Sequence, residues 1–294
     1  MTIRRLRTLI AIADKKTFSA AADVVHVTHA AISQQMQSLE SDLAIALFDR
    51  STRTPELTPD GHKIVLKARN LVEEYDNLVP IALGDGGLDR NITLGAIRTT
   101  LTGLTPKAMS ILKSKFPELR LRIRPGLTGA LFVDIERAVL DAAIVIKPNL
   151  VPSGLTFREL AKEPMQLITS MDETELDPLK LLRSRPFIRY DRNTVVGTLI
   201  DNWLSSKRIQ VSEAMELDSP EAIASMVHAG LGVSIVPDLA VKPIDAVAVR
   251  RIGLGAGAPY RTLGLIHRQN EVKKRAINEV FAALSQAIQS SSSD

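Results

Sequence analysis

Phe18-Ser19-Ala20-Ala21-Ala22-Asp23-Val24-Val25-His26-Val27-Thr28-His29-Ala30-Ala31-Ile32-Ser33-Gln34-Gln35-Met36-Gln37-Ser38-Leu39-Glu40 carries two patterns at once. Ile32, Met36 and Leu39, continued by Leu43, recur at helical spacing, so they line one side of an α-helix and ask for a core. Ala30, Ser33, Gln34, Gln37 and Ser41 fall on the opposite side, with His29 at its edge. This second face is small, amide-bearing and uncharged. A helix that is merely solvated carries Lys and Glu there. Short polar side chains and amides suit close approach to base edges, where glutamine pairs bidentately with adenine. A purely structural helical bundle is the lesser, alternative reading of this periodicity.

The flanks extend the pattern. Upstream, Ile3, Leu6, Leu9, Ile10 and Ala13 give a first helix with one apolar face. Ser19 is the expected N-cap of a second helix, Ala20–Val25, whose Ala21 and Ala22 permit close packing. His26-Val27 makes the turn and Thr28 caps a third helix from His29 to about Leu43. Downstream, Leu47, Phe48 and Leu57 anchor two short strands, and the turn between them carries Arg50 and Arg53. Two arginines beside a recognition helix suit phosphate or minor-groove contacts, although such a loop also reads as a plain solvated turn.

Thr58-Pro59-Asp60 is a helix start: a capping hydroxyl, proline at the first helical position and an acid for the dipole. Ile64, Ala68, Leu71, Tyr75, Leu78 and Ala82 follow at alternating four- and three-residue spacing, a heptad seam that asks for a partner helix. The other reading is a helix packed on its own core. Pro80 is expected to kink or end this helix. Basic residues outnumber acids over 1–71 and acids dominate 72–97, so a basic head precedes an acidic connector.

After Gly84-Asp85-Gly86-Gly87, short apolar strands alternate with amphipathic helices. The expected strands are Ile92–Ile97, Leu119–Ile123, Ala142–Ile146, Met165–Thr169, Pro186–Arg189 and Gly232–Val236, which argues for α/β units with largely parallel sheets. The whole chain of 294 residues, 45% apolar and 24% charged with net charge +4, has ordinary globular composition, enough for two or three folding units. It contains no cysteine, which excludes disulfides, thiolate metal sites and a cysteine nucleophile. No apolar run approaches the ~20 residues of a membrane helix, and the reading is a cytoplasmic protein with no membrane partner.

Catalytic apparatus is not legible. Histidines 26, 29, 62, 228 and 267 lie at no zinc-ligand spacing, and no nucleophile elbow or phosphate loop with Gly-Lys-Ser/Thr occurs. Gly253-Leu254-Gly255-Ala256-Gly257 lacks the helix that a dinucleotide site needs, because Pro259 intervenes. The second half reads instead as a binding module. Gly126-Leu127-Thr128-Gly129 opens a helix over Ala130–Leu140, where amides and a hydroxyl can hold an anion or simply cap. Arg98-Thr99-Thr100 follows the first strand, at the end where open α/β sheets bind ligands. Lys147 lies just past the strand Ala142–Ile146.

The head resembles the N-terminal domain of LysR-type transcriptional regulators. Phe18–Ala22, Val27–Met36 and Leu39-Glu40 resemble that family's helix-turn-helix, while Leu47-Phe48-Asp49-Arg50 and Arg53, Leu57-Thr58 and Gly61 resemble its wing. His29 stands where the family usually has glutamine, which bears on base preference there. Gly126–Gly129, Leu140–Ile144 and Gly230-Leu231-Gly232 with Pro237 resemble landmarks of its effector domain, with Ala138 in place of a common glycine.

The resemblance implies an α/β architecture. A winged helix-turn-helix domain spans 1–58 (motif about 18–37), and a linker and dimerisation helix spans 59–88. An effector domain spans 89–294, with subdomain I over 89–160 and 240–294, and subdomain II over 161–239. DNA contacts are expected from Ser19, Thr28, His29, Ala30, Ser33, Gln34, Gln37, Arg50 and Arg53. Effector contacts are expected from Thr99, Thr100, Thr128 and Lys147, with Ser219 opposite, and dimer contacts from Ile64, Ala68, Leu71, Tyr75 and Leu78. Expected partners are double-stranded DNA with dyad symmetry, a second copy (dimer or tetramer), a small effector that is either anionic or apolar, and RNA polymerase as a further candidate. No metal or cofactor is implied. The rival reading is a cytoplasmic small-molecule-binding protein whose head makes protein contacts.

Overall fold

The computed structural model describes residues 1–51, 55–82, 91–243, 245–269 and 273–291. They form two units, Met1–Asp89 and Arg90–Asp294.

In the first unit, α1 (Ile3–Lys15), α2 (Phe18–Val25) and α3 (His29–Leu43) precede β1 (Phe48–Asp49), β2 (Glu56–Leu57) and α4 (Pro59–Ala82). The apolar sides of the helices meet in one core built on Leu6, Leu9, Ile12, Ile32, Met36, Leu39 and Leu47. Thr28 caps α3 as expected, accepting from the Ala31 amide at 3.2 Å. The cap of α2 is Thr17 rather than Ser19: Thr17 has the extended backbone of an N-cap and accepts from Ala20. Phe18 therefore begins the helix, with its side chain in the core. Thr58 caps α4, accepting from the Gly61 amide at 2.9 Å while donating to the Ala46 carbonyl at 2.8 Å. A β-carbon at Gly61 would lie 2.3 Å from the Leu47 carbonyl oxygen, so only glycine lets the start of α4 close on the hairpin.

Helix α4 runs through Pro80 and is described as far as Ala82. The heptad seam divides along its length. Ala68 is buried in the head's own core and Ile64 packs against that core, so α1 already covers this half. Leu71, Tyr75 and Leu78 are 44%, 52% and 61% exposed.

The second unit begins with β3 (Asn91–Ala96), a 3-10 turn at Arg98–Thr100, α5 (Leu104–Lys115), β4 (Arg120–Pro125), α6 (Thr128–Glu136) and β5 (Ala142–Ile146). Then come β6 (Leu155–Thr169), α7 (Pro178–Ser184), β7 (Pro186–Tyr190), α8 (Val195–Ser206), β8 (Ser212–Leu217), α9 (Pro220–His228) and β9 (Ser234–Pro237). β10 (Arg250–Gly253), β11 (Tyr260–Arg268) and α10 (Lys274–Ser291) complete it.

The sheets are mixed, which corrects the expectation of largely parallel ones. β3 is parallel to β4 and β5, and β7 to β8, but β11 is antiparallel to both β5 and β6, and β9 and β10 are antiparallel to β6. Parallel neighbours need a crossover of a dozen or more residues, usually helical. The chain supplies such helical crossovers, through α5, α6 and α8, only for its parallel pairs.

Two lobes share β6. Its first part, up to Pro164, pairs with β11 beside β5, β3 and β4, and Met165–Thr169 pairs with β9 and β10. Residues 250–253 therefore pair on the second lobe, and the chain re-enters the first only at β11.

Candidate nucleic-acid interface and ligand cleft

Thr28, His29, Ala30, Gln34 and Gln37 are exposed along α3 and Ser33 is half-buried, while Ile32, Met36 and Leu39 are fully enclosed. The helix thus presents a short, uncharged ridge from a rigidly held back. Ser19 is exposed on the first turn of α2. The His29 ring leans on Phe18, centroids 6.3 Å apart, and Phe18 meets Phe48 edge-on at 5.0 Å. The sequence alone did not reveal Glu40, which fixes the hairpin to the helix. Its carboxylate accepts from the Leu47 and Phe48 amides at 2.9 and 3.1 Å and from Arg50 at 2.6 Å. Arg50 remains exposed despite that pair. Arg53 lies outside the described residues.

In the second unit, a cavity of about 100 Å³ opens where the end of β3, the start of α6 and the start of α8 converge. Thr99 and Thr128 line it. The other expected contacts do not come together there. Thr100 is buried and turned inward, donating to the Ile97 carbonyl at 2.9 Å and accepting from Thr105 at 3.2 Å. Lys147 is exposed, with its ammonium 5.9 Å from the Phe157 ring centroid. Ser219 caps α9, accepting from Ala222 and donating to Glu221 at 2.9 Å.

The residues that dominate the cavity were not anticipated. Arg261, 1% exposed, reaches it from β11. Its Nε and Nη2 both lie 2.6 Å from Glu163 Oε2, and Nη2 also donates to Thr99 at 3.0 Å. Its Nη1 is buried without an acceptor among the described residues, an omission that costs about 1–3 kcal/mol for such a donor. Tyr190 lines the same space. Burial pushes its phenol up to about 12, against a smaller opposing effect of the Arg261 charge, so it is a donor at neutral pH. At the mouth, Arg98 from the first lobe donates to Asp218 of the second at 2.6 Å, and nearby Thr102 donates to Glu221 at 3.2 Å. A charged residue inside Tyr260-Arg261-Thr262-Leu263-Gly264-Leu265-Ile266 was the available signal, since a buried strand keeps an arginine only with a partner.

Among the described residues no group of acids and histidines could hold a metal, and no helix is long and apolar enough to cross a membrane. A winged helix-turn-helix joined to a two-lobed α/β domain with a cleft defines a ligand-responsive DNA-binding regulator. Residues 3–62 match the bacterial regulatory helix-turn-helix of the lysR family, and residues 85–289 match the LysR substrate binding domain. The chain belongs to the LysR family of transcriptional regulators.

A probable RuBisCO transcriptional regulator from a Nostoc species is 29% identical, over 94% of this chain and 85% of that protein. The hydrogen peroxide-inducible genes activator of Haemophilus influenzae is 27% identical over 99% and 98%. A full-length OxyR variant from Pseudomonas aeruginosa has the same fold at a TM-score of 0.74 and 25% identity, over 97% of this chain and 94% of that one.

Proposed function

We propose that this regulator works in the cytoplasm as a homodimer or paired dimer that reads a dyad-symmetric duplex through α3. Arg50 and Arg53 contact the backbone, and a small molecule in the cleft lined by Thr99 and Thr128 controls it. The observation that carries the reading is the largely exposed ridge His29–Ala30–Ser33–Gln34–Gln37, free of Lys, Arg, Asp and Glu and backed by a fully buried stripe. Cations alone would bind DNA without preference, whereas amides on such a ridge discriminate bases. Leu71, Tyr75 and Leu78 supply the self-association face, and two-fold symmetry then sets paired half-sites on one face of the duplex. RNA polymerase is the natural further contact of such a regulator. With no cysteine in these 294 residues, the response to the small molecule runs through binding and not through thiol oxidation.

Selection from a randomised duplex library with the full chain tests this. We expect an enriched inverted repeat, and Gln34→Ala relaxes one base position in each half-site by about 1–3 kcal/mol. A library that emerges unenriched, or a Gln34→Ala profile identical to the parent's, rejects α3 as the reading element.

A further inference from the structure

We infer that the cleft accepts a small monocarboxylate whose carboxylate is held by Arg261, Tyr190 and the first turn of α6. This rests on the reading of the cleft as the effector site and names the class of compound that fits it.

Two sets of donors face one space with nothing to receive them, and a third lies sealed just behind it. Arg261 Nη1 is buried and lacks an acceptor, while the remaining edge of the same guanidinium is fixed by Glu163 and Thr99. The Tyr190 hydroxyl bonds to none of the described residues, although the residue is 4% exposed. At the start of α6, Leu127 offers no side-chain cap and the Thr128 hydroxyl is unbonded among the described residues. A β-carbon built at Gly129 would meet nothing within 4 Å. The neighbouring α8, by contrast, is capped by its own Thr194, which accepts from Gly197. Donors without acceptors, at a helix start where anions are favoured, call for a ligand that only accepts.

Charge limits the ligand further. Arg261 is balanced by Glu163, and Arg98 by Asp218, the acid lining the cavity. The surroundings therefore sum to no net charge and suit one added negative charge better than a phosphate dianion. Ile97, Ile146, Val195 and Val196 give the rest of the wall an apolar part, beside Asn193 and Thr194, and that part suits a short hydrocarbon body. Glu163 fixes the guanidinium before any ligand arrives, so binding loses little side-chain entropy.

Titration calorimetry of the full chain with monocarboxylates from acetate to benzoate, each beside its primary amide, with inorganic phosphate and sulfate alongside, tests the class. We expect at least one acid to bind, its amide to bind about 10-fold more weakly or worse, and Tyr190→Phe and Arg261→Lys each to weaken the acid about 10-fold. If Arg261→Lys fails to fold by circular dichroism, Tyr190→Phe and Thr128→Val carry the comparison.

Amides that bind as well as acids, phosphate or sulfate taken in preference, acid affinity unmoved by Tyr190→Phe, or no binding across the panel each overturn the inference. Gly129→Phe, which adds a bulky ring at a residue lining the cavity, separates the two levels. A neutral compound bound by the parent and lost in Gly129→Phe sinks the carboxylate class but keeps the cleft. A compound bound equally by both removes the effector from the cleft altogether.

Discussion

Ala138 holds a left-handed backbone, φ 53°, just after α6, at the position where the sequence departs from a glycine common in the family. An L-residue there costs about 1–2 kcal/mol, and glycine returns part of that through its greater freedom in the unfolded chain. Ala138→Gly is therefore expected to stabilise the protein by about 0.5–1 kcal/mol, read as a higher urea midpoint at constant slope. A midpoint that stays put or falls shows that the turn carries no strain.

At this scale the sequence was readable where chemistry is local and opaque where it is not. Thr28, Thr58 and the ridge on α3 are local patterns. Glu40 reads as one more solvated helix acid until the fold brings two hairpin amides to it. Thr100 and Lys147 sit beside the cleft in sequence, yet one hydroxyl is satisfied within its own turn and the other side chain is exposed.

Helices were the most legible elements, since their apolar periodicity survives burial on one side. β5, wholly buried, was equally clear. The strands that escaped notice each hide their character. β10 opens with Arg250 and Arg251, and β8 lies in a two-stranded sheet with mostly exposed side chains. β11 holds Arg261, as well as Gly264 where a β-carbon would strike the Phe157 ring at 2.2 Å.

Helix α4 shows how one period can serve two ends. Its first turns complete the head, and the later positions Leu71, Tyr75 and Leu78 are left uncovered. Leu71→Glu places like charges face to face across a two-fold interface. Sedimentation of that variant should show loss of the dimer or a rearranged oligomer, with weaker binding to the selected duplex. An unchanged oligomer with full affinity rejects this stripe as the contact. Ala68, buried within the head, belongs to the core and is not part of that surface.

At the scale of the whole molecule, the second lobe adds a cluster of ion pairs to its apolar packing. The buried Arg189 donates to Asp201 and, at 2.6 Å, to Glu213, and Arg192 adds Glu213 and Glu216 at 2.6 and 2.5 Å. Arg189 first and Arg192 second hold the Glu213 carboxyl down to about 2 from an ordinary 4.5. A depressed carboxyl stabilises the fold in full above its unfolded value and loses that contribution as the pH falls from about 4.5 toward 2. Acid unfolding monitored by circular dichroism should therefore show Glu213→Gln less stable than the parent at pH 7, with the gap closing through that window. A gap that stays constant with pH assigns the loss to packing instead of charge.

Helix α10 packs on α5, with Lys115 donating to Glu279 at 2.7 Å and Lys107 to Ser291 at 2.8 Å, so the last element made closes against one of the first in its unit. A ribosome adding about 5–20 residues per second has the head complete once Ala82 emerges, and then works for about 10–40 s more before α10 is available. Within that interval β6 waits about 5–20 s for β11, which follows it by some 100 residues. For that time each nascent chain carries a finished reading head and an unfinished sensor. The newborn protein is thus equipped to find DNA before it is equipped to be told what to do there.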